Sequence, residues 1–98
     1  MITIDFIKQN ALPHTISGGK KLVLYNEKYV LSIVGGVKGL YGDFENDFEV
    51  AIIDPLNKEF ITKLFFPENG DDVVGYLSCE EVEKIANTLF KVGSFQVR

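Results

Sequence analysis

The stretch Lys21-Leu22-Val23-Leu24-Tyr25-Asn26-Glu27-Lys28-Tyr29-Val30-Leu31-Ser32-Ile33-Val34 decides the fold class. Two runs rich in β-branched and aromatic residues flank the short polar turn Asn26-Glu27-Lys28, the pattern of an antiparallel hairpin. In the second run Tyr29, Leu31 and Ile33 share one face, and Val30, Ser32 and Val34 share the other. Both faces are therefore expected to be partly covered.

Working outward, Asp47 to Asp54 alternates cleanly, with Phe48, Val50 and Ile52 on one side and Asp47, Glu49 and Ala51 on the other; this reads as the central strand. Asp54-Pro55-Leu56-Asn57-Lys58 forms a turn, and Glu59 to Phe66 is expected to return as a further strand. Val73 to Leu77 is either an edge strand or a packed connector. Ser78 followed by Glu81 spells a capping box, and behind it Val82, Ile85, Ala86 and Leu89 make an apolar stripe. Glu80, Glu83, Lys84, Asn87 and Lys91 are placed mostly toward solvent, and Gly93 supplies the stop. Phe95 and Val97 fit a last short strand.

Toward the N-terminus, Thr3 and Asp5 suit the start of a short helix in which Ile4, Ile7 and Leu12 recur at roughly helical spacing beside Phe6, and which Pro13 terminates. His14 to Lys21 reads as a flexible connector. The expected fold is thus α+β: an antiparallel sheet of about four strands, packed against a C-terminal amphipathic helix and joined by a short N-terminal helix. No internal repeat divides the 98 residues, which fit one domain, 1–98.

Composition narrows the function classes. Fourteen acidic residues against ten basic ones give a net charge of −4, the wrong sign for a phosphate backbone, so no nucleic-acid partner is expected. The longest apolar runs are only a few residues, far short of the roughly 20 needed to span a bilayer, so no membrane partner is expected either. The N-terminus lacks the features of a signal peptide, and a cytoplasmic location is expected. Cys79 is the sole cysteine, which rules out an intramolecular disulfide.

No motif for a cofactor or metal emerges. Asp43, Glu45, Asp47 and Glu49 superficially resemble a calcium loop, but the positions that require glycine and a bidentate glutamate hold Phe48 and Asp54. The four glycines among Gly35 to Gly42 fit neither phosphate-binding fingerprint. Lys38 to Phe44 is a poor match to an RNA-recognition strand, with Leu40 out of register and Asp43 adding charge. His14 has no companion histidine. Asp71-Asp72 and Glu80-Glu81 serve equally well as turn formers and helix N-terminal charges. Cys79, in the first turn of the last helix, is the one nucleophile; with Asp72 and Tyr76 it defines a rival reading as an enzyme or small-ligand binder. The chain is otherwise expected to be non-enzymatic.

The remaining resource is a glycine-rich loop carrying aromatics beside acidic residues: Gly39, Tyr41, Gly42, Asp43, Phe44, Glu45 and Asp47 form a candidate partner-binding surface. The alternative is that Tyr41 and Phe44 fold over the sheet edge and seal the core. The segments Leu31-Ser32-Ile33-Val34-Gly35-Gly36, Gly39-Leu40-Tyr41-Gly42, Phe48-Glu49-Val50-Ala51-Ile52 and Asp72-Val73-Val74-Gly75-Tyr76-Leu77-Ser78 resemble, over roughly residues 29 to 90, small accessory proteins of tailed bacteriophages. The resemblance implies a viral origin and a compact inhibitor or modulator that binds a host or phage protein, including components of antiviral defence. It transfers no functional residue. A self-assembling structural protein, paired through an uncovered strand edge, is the other class of function the sequence admits.

Overall fold

The computed structural model describes residues 1–13, 18–36, 42–91 and 94–98. The element order is α1 (Ile4–Asn10), β1 (Leu12–Pro13), β2 (Lys20–Tyr25), β3 (Val30–Gly35), β4 (Asp47–Ile53), α2 (Thr62–Phe65), β5 (Val74–Ser78), α3 (Cys79–Leu89) and β6 (Gln96–Val97). The architecture is the α+β arrangement expected, with a six-stranded antiparallel sheet in place of about four strands. The spatial order is β1-β2-β3-β4-β5. The added members are two-residue pieces that share the outer edge of β2: β1 pairs Leu12 with Lys21, and β6 pairs Leu24 with Val97. The last short strand expected around Phe95 and Val97 is β6, over Gln96–Val97, whereas β1 carries no periodicity and becomes a strand only against the free edge of β2.

The hairpin forms as its turn chemistry dictates. Asn26 Oδ1 accepts from the N–H groups of Lys28 and Tyr29, closing the turn between β2 and β3. Register then aligns two aliphatic rows across three strands, Leu22–Ile33–Val50 and Leu24–Leu31–Ile52, all essentially inaccessible to solvent. Helix α3 covers this face with Val82, Ala86 and Leu89, and α1 adds Ile7. The opposite face is also occupied: Val23, Ser32 and Ala51 form one cross-strand row, and Val23, Val34 and Ala51 are buried.

Both long helices start where their caps stand. Thr3 Oγ1 accepts from Phe6 N–H, and Ser78 and Glu81 exchange both capping-box hydrogen bonds. Helix α1 ends before Ala11 rather than running to Pro13, because Leu12 and Pro13 are drawn into pairing with β2. Lys20 and Lys21, expected in the connector, open β2. His14 and Gly93 lie outside the described residues. Asn87 and Glu83 are not simply solvent-facing: Asn87 Oδ1 accepts from Ile2 N–H and its Nδ2 donates to Ile2 O, while Glu83 Oε2 accepts from Ile4 N–H at 2.6 Å. Together they bind the N-terminal segment to α3.

The expected strand over Glu59–Phe66 is the clear correction. After one bridge between Ile53 and Phe60 the chain leaves the sheet and turns through α2. Its β-rich composition is overruled because β5 occupies the far edge of β4. Thr62 holds the departure in place. Its buried hydroxyl accepts from Ile52 N–H at 2.9 Å and donates to Asp72 O at 2.7 Å, while Ile61 N–H donates to Ile52 O.

Thr62→Val should therefore cost about 1–3 kcal/mol, since it strands the Ile52 N–H and the Asp72 carbonyl without a partner. Thr62→Ser keeps the hydroxyl and should lose only about 1 kcal/mol for the methyl group. Urea midpoints of the three proteins check the order.

Candidate functional site

Four of the five residues Gly42 to Asn46 and the first residue of β4 belong to the partner-binding surface expected from sequence, and here the geometry is unusually tight. Asp43 Oδ1 accepts from the N–H groups of Glu45 and Asn46 at 2.8 Å and of Asp47 at 3.2 Å. Asp47 Oδ1 in turn accepts from Asp43 N–H at 2.7 Å, and Phe44 N–H donates to Asp47 O. The N–H groups of Asn46, Glu45 and Asp47 hold the Asp43 carboxyl well below its usual range, from 3.8 to about 2. The turn is thus a closed unit whose carboxylates at 43 and 47 are spent on its own backbone. Glu45 projects outward and reaches Lys8 Nζ at 3.6 Å, an exposed pair of small energetic weight.

Phe44 is not an exposed anchor. It is buried in the core, edge-on to Phe48 with ring centroids 5.0 Å apart, and this placement requires a backbone φ of 63°. An aromatic residue in that left-handed region carries strain of about 1–3 kcal/mol, which burial of the ring offsets. The chain takes the sealing role that the sequence left open for this residue. Tyr41 and Gly39 lie outside the described residues.

The glycines beside the turn serve close approach. A Cβ on Gly42 would stand 2.8 Å from Asp47 O and Phe48 Cα, and one on Gly35 would stand 2.8 Å from Phe44 N. Backbone packs directly on backbone there. The four carboxylates Asp43, Glu45, Asp47 and Glu49 consequently do not line up along one strand, because β4 begins only at Asp47.

The residues of the rival reading fall on three successive pieces of chain: before β5, within it and at the start of α3. Cys79 Sγ, half-buried, lies 3.5 Å from Glu45 O and so faces the acidic turn. Asp72 precedes the start of β5, at the end of the strand away from Cys79, with its carbonyl engaged by Thr62. Tyr76 stands between them at a bulge, where Gly75 and Tyr76 together oppose the single residue Glu49 and Tyr76 adopts φ 57°. Among the described residues no three of His, Cys, Asp and Glu gather in a way that would hold a metal ion, and no helix is long and apolar enough to cross a membrane.

The sequence reading missed a different surface. Leu56 (89% exposed), Phe60 (50%), Leu64 (77%) and Phe65 (38%) fall within ten residues, on the segment that leaves the sheet. Phe60 precedes the N-cap Ile61, and Leu64 and Phe65 are the third and fourth helical positions, the spacing at which a residue before a helix meets its first turn. Phe65 also packs edge-on against Tyr29 and lines a groove of about 330 Å³ with Phe66, Ile85 and Leu89. Read as a strand, the same residues alternate in and out and raise no signal.

Compared with protein-family models, curated proteins and solved structures, the chain shows no significant match.

The Asp43 shift has a definite sign. A carboxyl depressed in the folded state stabilises fully above its unfolded pKa near 3.8, and that contribution is lost as pH falls through about 2. The Asp43 carboxyl should titrate near pH 2 by NMR. Asp43→Asn, which keeps an acceptor oxygen, should flatten the acid dependence of stability in that window. Asp43→Ala should speed hydrogen exchange at the Glu45, Asn46 and Asp47 amides.

Proposed function

We propose that this chain is a non-enzymatic accessory protein that acts by binding a protein, and that its binding face is the segment from Leu56 to Phe65. The observation that carries this reading is the concentration of four exposed large apolar side chains on one short segment. Exposed apolar surface concentrated in this way on a small protein is often functional. A fold of this size that leaves Phe60 and Leu64 in water forgoes stabilisation it needs. A partner that covers them supplies the compensation.

The reading accords with a tailed-phage accessory protein, which would act on a host or phage protein through contact alone. It moves the contact surface away from Asp43, Phe44 and Asp47, whose side chains are committed to the turn and the core. Glu45 is the residue of that loop with an outward charge.

A photo-crosslinking amino acid placed at Leu64 in the protein in its native cytosol should yield a discrete protein adduct. The same residue in a Tyr41→Ala/Glu45→Ala background should yield it unchanged. Absence of any adduct, or its loss only in the loop variant, would overturn the assignment of this face.

A further inference from the structure

We propose that the cavity at the turn end of the β2–β3 hairpin binds a small organic anion, a carboxylate or phosphate carried on an aromatic body. Three segments distant in the chain meet there: residues 25–29 of the hairpin, 88–91 at the end of α3 and 94–96, which run into β6. They line a cavity of about 840 Å³, within the roughly 300–1,000 Å³ of small-molecule sites.

Charge selects the sign of the ligand. Lys28 and Lys91 line the cavity against a single lining carboxylate, Glu27, so the site is positive on a chain whose net charge is −4. Both lysines are exposed, and neither has an ion-pair partner among the described residues. Lys91 stands just past the C-cap Phe90, where its charge offsets the negative end of the α3 dipole.

The hydrogen bonds point the same way. Asn26 engages its amide oxygen with the N–H groups of Lys28 and Tyr29, and Gln96 engages its own with the Tyr25 hydroxyl. What each amide has left to offer is its NH2 group, a donor. With the two ammonium groups, the cavity therefore offers donors in excess, the complement of an oxyanion rich in acceptors. Around them lie ring surfaces and the buried aliphatic side chain of Leu89. One face of Tyr25 is covered by the Arg98 guanidinium, 4.8 Å from the ring centroid, which leaves the half-buried Tyr29 and Phe95 as the principal rings for an aromatic ligand.

An NMR titration of the backbone amides tests the site, with naphthoate and naphthyl phosphate as the anions and naphthamide and inorganic phosphate as controls. The aromatic anions should shift the signals of Lys28, Tyr29, Lys91 and Gln96 saturably, and the tighter of the two identifies the oxyanion. Naphthamide, nearly the same shape without the charge, and inorganic phosphate, the charge without the ring, should each bind at least about tenfold more weakly. Lys28→Glu and Lys91→Glu should each weaken the aromatic anion about tenfold. Lys21→Glu, an equal change of net charge in β2, should leave its affinity unchanged. The dispersion of each variant's spectrum reports that it remains folded. No saturable shift at up to about 10 mM anion, shifts centred on other residues, equal binding of naphthamide, or an equal loss with Lys21→Glu would each overturn the proposal.

Discussion

Two rows of aliphatic side chains, Leu22–Ile33–Val50 and Leu24–Leu31–Ile52, must be kept from water, and the rest of the molecule is arranged to do it. Each of these side chains contributes about 1.5–3 kcal/mol when fully buried. They all lie on one face because the strand period is two, so a slip of one residue would turn them all outward. The Asn26 turn on one side and the Thr62 hydroxyl on the other fix the register at the same end of the sheet. Helices α1 and α3 then close over the rows, and the clasp of Asn87 and Glu83 on residues Ile2 and Ile4 joins the two helices.

The two ends of β4 show two uses of loop chemistry. At its start, polar groups turn inward: Asp43 satisfies three backbone donors, Phe44 accepts a strained backbone to fill the core, and glycines let main chain lie on main chain. An acidic, aromatic loop of this kind looks like a recognition surface in the sequence and is largely self-satisfied in three dimensions. At the other end, apolar groups turn outward. Phe60 and Leu64 are left in solvent because Thr62 and Ile61 are the residues that face the sheet. Exposed apolar surface is the costlier of the two states, and so the more informative about what the molecule meets.

Cys79 joins the first turn of α3 to the loop before β4. Its sulfur sits against the Glu45 carbonyl, Tyr76 lies within β5 and Asp72 precedes that strand. A thiol tethered to a structural turn helps to dock the turn on the helix.

The residues alone determined the antiparallel hairpin, the strand over Asp47–Ile53, the capping box at Ser78 and the amphipathic stripe of α3, because each rests on local periodicity or on hydrogen bonds between residues a few positions apart. The candidate surface was legible only in part: Asp43, Glu45 and Asp47 lie where an exposed turn was expected, whereas the burial of Phe44 depends on a distant partner in the core. Tertiary structure alone decided that Glu59–Phe66 leaves the sheet, since its β propensity is real and only the presence of β5 on the edge of β4 denies it a place. The exposure of Phe60, Leu64 and Phe65 was decided in the same way, by which edges were already taken rather than by any feature of those side chains. Pairing between segments far apart in the chain sets that competition, and no local pattern records its outcome.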